Sequence, residues 1–265
     1  ESWASYQAGL DASNVCITMS GTNALLNLFL TLVNPGDNVL LSGPYFPLYG
    51  PDVSIAGGSA TYYPCQFEHE FIPQVSDLEA LVDDRTVAIL YNFPSNPTGG
   101  TLDTQQRDEL LAFARKHNLW IISDEVYDRI VFDGPHVSFM GAGYDRVLVV
   151  NSFSKTFAMT GWRMGYIISE HAEAMHQVIK MQYYIAACSN DAMQHAILAT
   201  IEQASDYPEM IAAEFKQRRD LIVDRLNAMP GVECHKPQGA IYVFPKVTVP
   251  GMTSQELAMA LLNDG

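Results

Sequence analysis

Residues 151–166, NSFSKTFAMTGWRMGY, bring together an amine, two hydroxyls and a guanidinium: Lys155, Ser152, Ser154 and, eight positions after the lysine, Arg163. A lysine amine condenses with an aldehyde to give a Schiff base. Hydroxyls and a guanidinium hold a phosphate. The stretch therefore suits a cofactor that carries both a carbonyl and a phosphate. Other places add to it. Ser20-Gly21-Thr22 precedes an apolar run. Small residues at a helix start leave free N–H groups and the positive end of the dipole for an anion, although the same triplet also reads as an ordinary N-cap. Asp124 closes an apolar run in SDEVYDRI, with Tyr127 three residues on. A carboxylate at that place is a helix cap or, at the carboxyl end of a strand in an open α/β sheet, a site residue. The segment GPYFPLYG supplies Tyr45, Phe46 and Tyr49, which either line a flat ring site or simply fill core.

The elements that position these groups alternate. Apolar runs at 15–19, 38–41, 59–63, 86–91, 119–122, 146–151 and 164–168 read as strands. Helical patterns cover 20–32, 76–82, 104–118, 170–184, 191–204, 208–229 and 254–262, and 239–245 reads as a further strand. In the helix at 76–82, Ser76 is the expected N-cap, with Glu79 closing a capping box. GPYFPLYG is too rich in proline and glycine for a helix. The charges of 208–229 (Glu214, Lys216, Arg218, Arg219, Asp224 and Arg225) read as a solvated face. Alternating strands and helices predict a three-layer α/β fold, a mostly parallel sheet with helices on both faces. The expected division is a large domain at 1–205 and an incomplete small α+β domain at 206–265.

Composition narrows the function. The net charge of -15 argues against a nucleic-acid ligand and against anionic membrane surfaces. The four cysteines (Cys16, Cys65, Cys188 and Cys234) form no CxxC pair, which suits reduced thiols in the cytoplasm rather than a zinc or redox site. His171, His176 and His195 lack metal-ligand spacing, so no metal is expected. No run is long and apolar enough for a membrane helix. Both ends read as cut: there is no initiator methionine, the first ten residues resemble part of a helix, and the last helix stops with nothing after it.

On one rim of one sheet the candidates match the functional groups of pyridoxal 5'-phosphate. Lys155 suits the aldehyde, Asp124 the ring nitrogen, Asn96 and Tyr127 the phenolic oxygen, Phe46 the ring face, and Ser20, Gly21, Thr22, Ser152 and Arg163 the phosphate. Through SGTNAL, PGDNVLLSGPYFPLY, NFPSNPTGG, SDEVYDRI and SFSKTFAMTGWRMGY the chain resembles, nearly end to end, the fold-type I pyridoxal-phosphate enzymes of aminotransferase class I/II, related to aspartate aminotransferase. The resemblance implies transfer of an amino group between an amino acid and a 2-oxo acid, with Lys155, Asp124 and Tyr127 catalytic. It gives Ser154 a minor part and implies a homodimer with the site at the subunit boundary.

The resemblance also implies an arginine near the C-terminus of the small domain, to clamp the substrate carboxylate, yet no arginine follows Arg225. The 265 residues alone are therefore expected to bind the cofactor weakly or fold poorly, with activity belonging to a longer parent. Leu30 stands near where some aspartate-specific relatives carry a basic side chain, which disfavours a dicarboxylate substrate. Two alternatives share the motifs: a lyase or synthase on the same scaffold, and an aminotransferase-like sensor domain of a transcription regulator. The S-x-x-K of penicillin-recognising serine enzymes is set aside. Lys155-Thr156 runs into Phe157, and Ser189-Asn190-Asp191 has the wrong order for their second motif.

Overall fold

A computed structural model describes residues 10–264. The helix expected in the first ten residues lies outside the described residues except for Leu10. In chain order the first half runs β1 (Val15–Thr18), α1 (Gly21–Leu32), β2 (Asn38–Gly43), α2 (Tyr49–Ile55), β3 (Ser59–Pro64), α3 (Val75–Glu79), β4 (Thr86–Asn92) and α4 (Thr104–Lys116). Then follow β5 (Trp120–Asp124), β6 (Val147–Ser152), α5 (Phe153–Thr156), β7 (Gly165–Ile168), α6 (Ala172–Ala186) and α7 (Asp191–Gln203). The chain continues through α8 (Tyr207–Asn227), β8 (Val232–Glu233), β9 (Lys246–Val247) and α9 (Ser254–Asp264).

Seven strands form one sheet in the order β1-β7-β6-β5-β4-β2-β3. Only β7 runs against its neighbours. Strands buried on both faces carry near-continuous apolar runs, which is why VLVV and AILY are uniformly hydrophobic. Alternate residues feed two cores. Ile89, Ile121 and Val149 meet Leu78 of α3 and Leu110, Leu111 and Phe113 of α4 on one face. Leu90, Ile122, Leu148 and Val150 meet Leu25, Leu28 and Phe29 of α1 and Met175 and Val178 of α6 on the other. The expected three-layer, mostly parallel α/β fold is present.

The antiparallel strand does most to build the site. Gly165 stands opposite Thr18 of β1 and opposite Ser152 of β6. The start of α1 and the start of α5 are thereby drawn to the same corner. The approach is close: a Cβ on Gly165 would lie 2.6 Å from the Gly21 nitrogen and 2.9 Å from the Asn151 carbonyl oxygen.

Four local expectations are corrected. GPYFPLYG does enter a helix, α2, which starts at Tyr49 with Pro51 in its first turn, where a missing N–H is harmless. Helix α3 starts at Val75 after an uncapped Gln74, not after Ser76. Glu79 is drawn away from any capping box by Lys116 at 2.8 Å and His117 at 3.1 Å. Capping boxes form instead between Asp103 and Gln106 at the start of α4 and between Asp11 and Asn14 ahead of β1. Residues 239–245 do not form a strand. They make one isolated bridge, Val131 to Gly239, and Ala240 at φ 57° turns the chain out of the extended region. Arg219 is not on a solvated face either. It is buried, bonded to Asp133 and to the Pro237 carbonyl at 2.8 and 2.9 Å, and lies over the Phe132 ring.

Gly165→Ala must push the α1 start away from the sheet, because its obstacles are backbone atoms. Overpacking of that kind costs about 2 kcal/mol. Urea denaturation of the variant is expected to show this loss, and unchanged stability would contradict the close contact.

Candidate active site

At the carboxyl edge of the sheet a cavity of about 210 Å³ opens between the ends of β4, β5 and β6 and the start of α1. Its floor is Asp124, the last residue of β5, the middle strand. The carboxylate is buried. Tyr49, from α2, donates to Oδ2 at 2.7 Å and the Val126 N–H to Oδ1 at 3.3 Å. Burial pushes the Asp124 carboxyl up to about 6, against the pull of those two donors and of the Lys155 ammonium, and with a push from Glu125. A carboxylate so poorly compensated is a natural partner for a cation.

Lys155 reaches the cavity because β6 ends in a helix cap. Ser152 Oγ accepts from the Ser154 N–H at 3.1 Å and donates to the Met164 carbonyl at 3.2 Å. The single turn of α5 then presents Lys155, whose ammonium lies 5.7 Å from the centre of the Tyr127 ring.

The anion corner faces the lysine. Ser20 Oγ accepts from the Asn23 N–H and its carbonyl accepts from the Ala24 N–H. Ser20 is thus the ordinary N-cap, and it also lines the cavity, where its own O–H proton is left to donate. The Gly21 and Thr22 N–H groups head α1 at the cavity wall, at the positive end of the helix. Ser20 has φ 141°, a region that L side chains rarely adopt; such strain gathers at ligand sites. Gly21 is tightly fitted, since a Cβ there would come within 3.3 Å of Val126 and 3.4 Å of Ser152. Arg163 completes the corner. It is exposed, in the left-handed region at φ 54°, and donates to the Thr160 carbonyl at 2.6 Å.

The opposite rim carries Asn96, Tyr127 and Phe46. The Asn96 N–H is held by Asn92 Oδ1 at 2.7 Å, while Asn92 Nδ2 donates to the Asp124 carbonyl at 3.0 Å. Phe46 packs edge-on against Tyr49, ring centres 5.5 Å apart. All ten residues named from sequence as cofactor-binding line this one cavity: Ser20, Gly21, Thr22, Phe46, Asn96, Asp124, Tyr127, Ser152, Lys155 and Arg163. Ser154 joins them. Tyr45 does not; it stacks on Tyr62 outside. Leu30 is not among the lining residues either. Sequence reasoning missed Asn92 and Tyr242 and did not foresee Tyr49 as the partner of Asp124. Asn92 had a signal, an amide ending a strand next to the Asp124 strand.

Among the described residues no group of three or more His, Cys, Asp or Glu side chains is arranged to hold a metal ion, and no helix is long and apolar enough to cross a membrane. The family model for aminotransferase class I and II matches residues 2–265. An aspartate aminotransferase of Thermotoga maritima is 36% identical over 244 residues, which cover 91% of this chain and 63% of the relative. Aromatic-amino-acid aminotransferase 2 of Thermococcus litoralis is 34% identical over 264 residues, covering 97% of this chain and 67% of that protein. The crystal structure of aspartate aminotransferase from Thermotoga maritima superposes with a TM-score of 0.89 at 34% identity, over 96% of this chain and 66% of that one. The chain thus spans about two thirds of the length of the proteins it matches.

Asp124 makes the cofactor-free protein sensitive to pH in a defined direction. Its folded value, about 6, exceeds the ordinary 3.8, so the folded state holds the proton more tightly. The stabilisation is full below about pH 4 and lost as pH rises through 6, a contribution on the order of 3 kcal/mol. Asp52 and Asp128, also raised to about 6, act in the same sense. Asp124→Asn is expected to flatten this part of the profile in urea titrations at pH 4.5 and 7. Equal slopes for both proteins would refute the assignment.

Proposed function

The chain belongs to the aminotransferase class I and II family, and we propose that it moves an amino group between an amino acid and a 2-oxo acid. The family's cofactor is pyridoxal 5'-phosphate, and the cavity suits it. A partly compensated buried carboxylate, an amine, a helix start and an aromatic ring surround one space of about 210 Å³. When bound, the cofactor supplies an electron sink for the pair left behind when an amino acid loses its α-proton.

The chain's own residues do the rest. Asp124 presents its carboxylate to the ring nitrogen. A cation there would favour the ionised form further and bring the carboxyl down from about 6, keeping Asp124 anionic well below neutral pH. Lys155 Nζ would hold the aldehyde carbon and, as a free amine, would be the base that takes the α-proton and returns it. Tyr127 and Asn96 would bond the phenolic oxygen, and Phe46 would cover the ring. Gly21 and Thr22 N–H groups, the Ser20 hydroxyl and Arg163 take the phosphate. Ser152 belongs to this set with a condition: its proton is now given to the Met164 carbonyl, and a phosphate must draw it away.

The meeting of Lys155 with Asp124 in one cavity, opposite an anion-binding helix start, carries this reading. We read residues 1–205 as the large cofactor-binding domain and 206–265 as part of a small one. A homodimer fits the exposed apolar side chains beside the anion corner and along α6, namely Trp162, Tyr183 and Tyr184. The cytoplasm fits the four free cysteines. The relatives' names include aspartate and aromatic amino acids, and the lining residues favour neither.

The test is spectroscopic. Protein loaded with pyridoxal 5'-phosphate is expected to change its visible absorbance when an amino acid is added, releasing a 2-oxo acid and retaining pyridoxamine phosphate. Lys155→Ala is expected to lose the response and at least about 10³-fold in turnover, the scale of a lost acid–base group. Release of ammonia with the 2-oxo acid would point to a lyase instead.

A further inference from the structure

Tyr242 lines the cavity from the far end of the chain, and its hydroxyl lies 2.6 Å from that of Tyr127. The rings meet edge-on, centres 5.7 Å apart at 79°. Tyr127 is buried and Tyr242 partly so. The contact is built rather than casual, because the segment that carries Tyr242 is tied to both loops on this rim of the cavity. The N–H groups of Gln238 and Gly239 donate to the Gly99 carbonyl at 3.0 and 2.9 Å, three residues beyond Asn96. The Phe132 N–H donates to the Gln238 carbonyl and the Ala240 N–H to the Ile130 carbonyl, at 2.8 and 2.9 Å, just beyond Tyr127. Ala240, fully buried at φ 57°, makes the turn that aims Tyr242 back at the cavity. A Cβ on Gly239 would lie 2.9 Å from the Ile130 carbonyl oxygen, so the segment has little room to shift.

A tyrosine hydroxyl has one proton and two lone pairs. With Tyr127 giving its proton to the phenolic oxygen, its own oxygen is free to accept from Tyr242. Two hydrogen bonds in series polarise one another, and the terminal donor gains strength. We propose that Tyr242 is a positioning residue that orients the Tyr127 hydroxyl as a donor and reinforces it, so that a segment more than a hundred residues away in sequence tunes the proton affinity at the phenolic oxygen. This rests on the reading of Tyr127 given above. The direction of the effect follows from competition. With the cofactor bound, its phenolic oxygen would share one proton with the Lys155 nitrogen. A stronger donor on that oxygen weakens its hold on the shared proton, and a lost donor tightens it.

The experiment is a pH titration of the visible absorbance of the cofactor-loaded protein without substrate, for wild type, Tyr127→Phe, Tyr242→Phe and the double variant. Tyr242→Phe keeps the ring and removes only the oxygen. It is expected to raise the midpoint by about half a pH unit, since reinforcement along a pair of bonds is a fraction of one bond. Tyr127→Phe is expected to raise it more, and the double variant no further than Tyr127→Phe alone. A role confined to ring packing leaves the midpoint of Tyr242→Phe at the wild-type value, which overturns the proposal while Tyr127 keeps its role. An additive double variant overturns it too, because Tyr242 would then act without Tyr127. No shift in Tyr127→Phe overturns both readings.

Discussion

A carboxylate held out of water with too few donors is the constraint around which the site is arranged. Asp124 ends the middle strand of seven, so it is surrounded by protein on both faces and both flanks. Its two side-chain hydrogen bonds reduce the penalty of burial without removing it, as the upward shift of its carboxyl records. A protein with fifteen more acidic than basic side chains does not lack negative charge elsewhere. What sets this carboxylate apart is that a lysine, an arginine and the positive end of a helix share its cavity. The site therefore has an inherent polarity: a place for a cation at the floor and for an anion at the corner.

That polarity depends on a backbone contact. Because β7 runs against the other strands, its first residue, Gly165, lies at their carboxyl edge, where it pairs with both Thr18 and Ser152. The chain leaves β1 at Thr18 to start α1 and leaves β6 at Ser152 to start α5. Pairing both with one glycine sets the two helix starts side by side. The absence of a side chain on Gly165 lets the backbone of α1 close to contact distance. The anion corner and the lysine are thus two consequences of one strand register.

The sheet and much of the cavity were legible in the sequence because their signals are local, while Phe46, Asn96 and Arg163 were named with the help of the resemblance. Apolar runs mark buried strands, and a small-residue triplet or a polar residue at the end of such a run marks a rim position. What escaped depends on distant partners. Ser76 and Glu79 have capping-box spacing, but Lys116 at the end of α4 and His117 just after it hold Glu79. Arg219 has the pattern of a surface charge until Asp133, eighty-six positions earlier, comes beside it. Residues 239–245 alternate like a strand, yet their backbone groups go to Gly99 and Ile130, and a left-handed alanine ends the extended run. Tyr242 had no local signal at all, because its meaning lies in a hydroxyl 115 positions away.

Behind the floor, a second layer keeps Asp124 from facing another bare carboxylate. Glu125 points to the other side of the strand end, fully buried, and accepts from Ser123, Ser138 and His136 at 2.7 to 2.9 Å. Burial alone would lower the His136 pKa, but the Glu125 carboxylate, with Asp128 nearby, holds it above the usual histidine value. The imidazolium so favoured offsets Glu125 where it is buried, leaving only a residual push from Glu125 on Asp124. Adjacent carboxylates on one strand end would otherwise raise each other strongly and leave one of them neutral. Pairing Glu125 with His136 lets Asp124 answer mainly to its own cavity, where Tyr49, the Val126 N–H and Lys155 rather than a neighbouring acid do most to offset its burial.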